Sequence, residues 1–161
     1  MKQFIFGIIA LSAAVFTACN PTTEKQSGLS ALYTHYQELT SALANDDSRE
    51  AARAAEAILS VLPEIQEPDI PSRIREDAQQ IAAHAGNMDL QRRHLVSLSE
   101  DIYSTVKRFG TDQPLYKIYC SMYNGDQGAY WISHSKEISN PFHGADMLRC
   151  GEIQEELTSA N

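Results

Sequence analysis

From Leu29 to Phe109 the hydrophobic positions fall in four runs, each with the i, i+3, i+4, i+7 spacing that lines one face of an α-helix. The first run is Leu29, Leu32, Tyr33, Tyr36, Leu39 and Leu43, and Asn45-Asp46-Asp47 interrupts it. Asp47, with Glu50 three residues on, has the form of a capping box and predicts a second helix carrying Ala51, Ala54, Ala55, Ile58 and Leu62 to Pro63. A loop with Pro63, Pro68 and Pro71 follows, and Pro71 suits the first position of a third helix. That helix presents Ile74, Ala78, Ile81, Ala82 and Ala85 and stops at Gly86. Asn87 is placed to cap a fourth, with Leu95, Leu98, Ile102, Val106 and Phe109 inward and Gly110 at its end. Short turns favour antiparallel neighbours, so the fold expected is mainly α, a four-helix up-and-down bundle.

After Gly110 the pattern changes. Residues 111–157 are expected to form a small irregular lobe, rich in Tyr116, Tyr119, Tyr123, Tyr130, Trp131 and Phe142 and in glycine, lying over one end of the bundle. Alternation predicts short strands at 115–119 and 129–132, with turns at Asn124-Gly125 and Asn140-Pro141 and a last strand or helical turn at 153–157.

The N-terminus bears on location. Lys2 precedes an apolar stretch, Phe4 to Phe16, too short to span a bilayer as a helix. It ends in Phe16-Thr17-Ala18-Cys19, which resembles a bacterial lipobox. Residues 1–18 are therefore expected to be a lipoprotein signal peptide, Cys19 the lipidated residue, 19–28 a flexible tether, and 29–157 a single domain. Asn20 in place of Asp points by analogy to the outer membrane, facing the periplasm. Removing residues 1–18 of 161 leaves 143, enough for one compact domain, and the net charge of −8 argues against nucleic-acid partners.

With Cys19 set aside, Cys120 and Cys150 form an even pair in an oxidising compartment, which raises a disulfide as one reading. The other reading is a metal site. Met122 follows Cys120 by two residues and Met147 precedes Cys150 by three, so a strand and a helical turn would aim each pair at one point. Two thiolates and two thioethers select Cu(I) over harder cations. As structural residues, the methionines would instead fill space beside the rings. His84 and His94 flank the third turn and offer a Zn or Cu(II) pair, against solvated or capping roles, while His35 lies near the first apolar stripe and His134 shows no partner. No Gly-x-Ser-x-Gly, His-Glu-x-x-His or glycine-rich phosphate loop occurs, and no enzymatic activity is expected.

The runs Tyr119-Cys120-Ser121-Met122, Gly128-Ala129-Tyr130-Trp131-Ile132-Ser133, Ile138-Ser139-Asn140-Pro141-Phe142 and Gly144-Ala145-Asp146-Met147-Leu148-Arg149-Cys150-Gly151 resemble an uncharacterised domain family of bacterial periplasmic proteins and lipoproteins. Similar domains occur fused to periplasmic adaptor subunits of heavy-metal RND efflux systems. Ala42-Leu43-Ala44-Asn45-Asp46-Asp47 and Gln91-Arg92-Arg93-His94 match the family's weaker helical signatures. The resemblance implies copper or silver export as the setting. Ser121 stands where the family has proline, which loosens that corner, and His143 replaces an aromatic residue and adds a nitrogen donor. The expected function is a periplasmic lipoprotein that binds Cu(I) or Ag(I) through Cys120, Met122, Met147 and Cys150 with His143, accessory to an efflux adaptor or buffering the metal. The alternative is a module braced by a Cys120–Cys150 disulfide that docks on an envelope partner without metal.

Overall fold

The computed structural model describes residues 21–65 and 70–158. The signal segment, Cys19 and Pro68 lie outside the described residues. Four long helices, α1 (Pro21–Ala44), α2 (Ser48–Val61), α3 (Arg73–Ala83) and α4 (Met88–Phe109), are followed by strands β1 (Leu115–Cys120), β2 (Ala129–Ser133) and β3 (Glu152–Leu157). Among the described residues, no helix is long and apolar enough to cross a membrane.

The periodic residues make the core. Leu32, Tyr36, Leu39 and Leu43 of α1, Ala51, Ala55 and Ile58 of α2, Ile74, Ala78 and Ile81 of α3 and Leu95, Leu98 and Ile102 of α4 are fully buried. Each large aliphatic among them contributes about 1.5–3 kcal/mol relative to exposure. Ala85 is exposed, because α3 ends at Ala83 and the chain turns away before it. The caps act largely as expected: Asp47 accepts from the Glu50 amide at 2.9 Å and Asn87 from the Leu90 amide at 3.1 Å. Glu50 does not complete the box, since its carboxylate binds Arg53 one turn on. Pro63 sits inside a single 3₁₀ turn, Leu62–Glu64, that finishes α2. Pro71 precedes α3 by two residues, and its carbonyl accepts from the Ile74 amide.

Two differences from the sequence reading shape the molecule. First, Pro21–Gly28 is helical and continuous with α1 rather than a tether. Pro21 suits a helix start, and Gly28 is buried against Glu64 and Ile65 at the end of α2. Second, the lobe runs along the bundle instead of capping one end. α1 packs on α2, α2 on α3 and α3 on α4, but α1 and α4 hardly meet, and β2 packs between them, mainly on α4. Contacts to the lobe extend from Arg92 to Lys107 on α4, roughly 22 Å at 1.5 Å per residue.

The sheet is antiparallel in the order β2-β1-β3, with Ile118 opposite Trp131 in β2 and Ile153 in β3. An irregularity at Lys117/Ile118 breaks the strict alternation of β1. Ile118 and Cys120 therefore point into the core, while Lys117 lays its ammonium over the rings of Tyr103 and Tyr130, at 4.5 and 4.1 Å.

Candidate functional site

The loop between β2 and β3 holds most of the residues singled out in the sequence, and buried Asn140 organises it. Its side-chain amide donates to the Cys150 carbonyl at 2.8 Å, and its oxygen accepts from the Phe142 and His143 amides at 2.8 and 3.2 Å. Its backbone closes the same turn, donating to the Leu148 carbonyl and accepting from the Gly144 amide. Every hydrogen-bonding arm but one side-chain N–H is thus used inside the loop. The sequence shows Asn140-Pro141 only as a turn signal, since nothing local marks an asparagine that will bind a residue ten positions away.

Asn140 delivers Cys150 to Cys120 at the end of β1, and the two are joined in a disulfide with Cα atoms 5.7 Å apart. Cys120 is buried and Cys150 half-buried. The segment so closed contains Trp131, which is buried and meets Phe142 edge to face at 6.2 Å; Tyr123 stacks on Phe142 at 4.7 Å. Gly151 completes the packing. A Cβ there would fall 2.8 Å from the Trp131 ring and 3.0 Å from Ile118 and Ile138, so only glycine lets the chain pass.

The other expected ligands are arranged unequally. Met147 lies one turn from Cys150, whose amide donates to the Met147 carbonyl at 2.9 Å, so the expected helical spacing is present as a single turn. Met122 follows β1 and is 53% exposed. His143 is half-buried, its ring edge-on to Tyr123 at 5.8 Å, and its Nε2 is buried without a hydrogen-bond partner among the described residues. With Cys120 and Cys150 bonded to each other, neither offers a thiolate, and the remaining donors are two thioethers and one imidazole. Among the described residues no group of three or more His, Cys, Asp or Glu could hold a metal ion.

The remaining histidines have protein partners. His94 Nδ1 meets Asp77 Oδ1 at 2.9 Å, and the Ser97 hydroxyl donates to the other Asp77 oxygen. His84 Nδ1 lies 2.7 Å from the Gln80 carbonyl, where it caps α3. Of the two readings offered by the sequence, a metal pair or separate capping and solvated roles, His84 takes the capping one, while Asp77 claims the His94 ring. His35 pairs with Glu38, and His134, which shows no partner in the sequence, binds Gln37 through both its amide and its ring.

Two clasps hold the lobe on α4. Arg92 donates to the carbonyls of Pro141 and Leu43 and pairs with Asp46 at 2.6 Å, while Asp46 also accepts from the Ala145 amide at 2.9 Å. Gly144, at φ +56°, passes so close that a Cβ would strike Asp46 and Arg92. The Ala145 amide and then Arg92 hold the Asp46 carboxyl below its usual range. At the far end Glu155 accepts from Lys107 at 2.8 Å and Tyr103 at 2.7 Å, which lowers its pKa and raises that of the phenol. Midway, buried Tyr36 bonds Ser99 at 2.7 Å and accepts from the Ile132 amide at 3.3 Å.

Asp46 and Arg92, two residues in the helical signatures, are therefore the grip on the lobe. A family model described as a protein of unknown function (DUF3347) matches residues 32–114, just over half of the chain. The chain belongs to this family. The DUF3347 match runs from α1 to the doorstep of β1, so it includes the bundle side of both clasps and stops before the disulfide loop. No curated protein and no solved structure matches the chain.

Proposed function

We propose that this DUF3347 protein is a non-enzymatic module of the bacterial envelope, lipid-anchored at Cys19 and facing the periplasm, whose disulfide-braced lobe docks on an envelope or efflux partner. The Cys120–Cys150 bond carries the reading: it uses both thiols and closes the segment that holds buried Trp131 and Phe142. Among the described residues the exposed large hydrophobics, Met122 and Ile153, both belong to this lobe. Lipidation and envelope location rest on the lipobox, and the efflux setting on the sequence resemblance. Thiol trapping of protein taken from the periplasm, followed by intact mass, tests the brace. The expected result is no alkylation without prior reduction and indifference to added copper. Alkylation of both cysteines in unreduced protein would overturn it.

A second reading is favoured by the Nε2 of His143, which has no partner among the described residues, and by the exposure of Met122. In it the reduced lobe binds Cu(I) or Ag(I) through Cys120, Cys150, Met122 and Met147, with His143 in support. A dithiol reductant supplies two electrons and two protons to open the disulfide and is itself oxidised to a disulfide; the metal then displaces the two thiol protons. Thiolate and thioether donors suit a soft monovalent ion. Competition of the reduced full chain with a chromogenic Cu(I) chelator should show about one equivalent bound. Replacing Met122 and Met147 together by leucine should weaken binding strongly, and an unchanged affinity removes this site.

A further inference from the structure

Away from the disulfide loop, α1 and residues 111–115 enclose an open cavity of about 710 Å³, a size that suits a small organic ligand. It continues toward the turn between α1 and α2 and is lined by four carboxylates, Glu38, Asp47, Glu50 and Asp112. Among the described residues no lysine or arginine lines it, and the imidazole that does, His134, is engaged by Gln37. Three of the acids have work within the fold: Asp47 caps α2, Glu50 binds Arg53 and Glu38 pairs with His35. Asp112 is met by neutral donors, the Ser30 hydroxyl at 2.5 Å and the Gln26 amide at 3.2 Å. The wall between the acids is apolar in part, formed by Tyr33 and Leu115.

Tyr33 is the second and independent sign. It is 6% exposed, it lines the cavity, and its hydroxyl has no hydrogen-bond partner among the described residues. A buried phenol without a partner is costly, by the desolvation of a group that water would otherwise satisfy. Burial first, and then the nearby charge of Asp112, push its pKa well up, so the hydroxyl stays protonated, and both residues line the same cavity. An N–H donor placed there would satisfy the Tyr33 oxygen and the Asp112 carboxylate together.

We propose that this cavity binds a small protonated organic amine, its ammonium held between Asp112 and the Tyr33 hydroxyl and its hydrocarbon body against Leu115 and the Tyr33 ring. Charge selects the class, since a carboxylate ligand of the same shape would meet four acids. The site shares only His134 with the segment closed by the disulfide and does not depend on the function proposed above.

Calorimetric titration of the purified full chain with 2-phenylethylamine, 2-phenylethanol and 3-phenylpropionate tests it. The amine should bind saturably at pH 7, the alcohol at least roughly tenfold more weakly, and the carboxylate not at all. Asp112→Asn should weaken amine binding roughly tenfold or more, and Tyr33→Phe by about threefold, with the helical circular dichroism unchanged. Equal binding of amine and alcohol, no saturable amine binding, or amine binding indifferent to Asp112→Asn would overturn the proposal. Binding of a lysine-rich peptide in the absence of any binding by the free amine would also overturn it, in favour of a protein partner. Because the ligand series needs no variant, an unstable Asp112→Asn protein leaves the test intact.

Discussion

Opening the Cys120–Cys150 bond is the most direct perturbation of this molecule. The two residues are 30 positions apart. Loop-closure entropy for about 30 residues, taken as 2.1 + 1.5R ln n in cal/mol/K, gives about 3.6 kcal/mol at 25 °C. Cys120→Ala with Cys150→Ala should cost this much with little packing loss. With a denaturant slope of about 2 kcal/mol per M, the urea midpoint should fall by roughly 1.8 M. The structure also says where the loss appears. Trp131 is the sole tryptophan and lies inside the closed segment, packed against Gly151. Its fluorescence reports on the lobe, while ellipticity at 222 nm reports on α1–α4. Fluorescence should shift to lower urea further than ellipticity does. A loss below about 1 kcal/mol, or identical shifts of both probes, would refute the view that the disulfide braces the lobe specifically.

Asn140→Ala removes three side-chain hydrogen bonds, so a loss of about 2–4 kcal/mol is expected, read by Trp131 fluorescence in urea. A loss within 0.5 kcal/mol, the order of an ordinary surface change, would show that other contacts hold the loop. Tyr36→Phe leaves the Ser99 hydroxyl without its partner and the Ile132 amide without one bond, which should cost about 2 kcal/mol and loosen β2 from α1. Thermal unfolding of the variant checks it. Acid should release both clasps, because Asp46 and Glu155 have pKa values lowered on folding. The stability they contribute is present above the unfolded carboxyl range, about pH 4, and is lost as pH falls through their lower folded values. Both groups are substantially solvent-exposed, so the effect is modest, and Asp46→Asn with Glu155→Gln should flatten the acid limb of stability against pH.

Much of this architecture is present in residue order alone. Helical spacing of leucine, isoleucine and alanine placed four helices, and Asp47, Asn87 and Gly110 placed three of their ends, because periodicity and caps act over a few residues. The strands at 115–120 and 129–133 were legible from alternation, and the change of composition after Gly110 marked the lobe. The two cysteines could be read either as a pair or as ligands, since spacing does not reveal which atoms a 30-residue loop brings together. Tertiary structure decided that they meet each other. It also extended α1 back to Pro21, set the lobe along α4 instead of over an end, and gave Asn140, Asp46 and Arg92 their tasks. Those tasks depend on groups 10 to 99 positions apart in the chain. A local pattern carries no information about such partners: burial creates the need for a hydrogen bond, and only the packed fold determines which distant atom answers it.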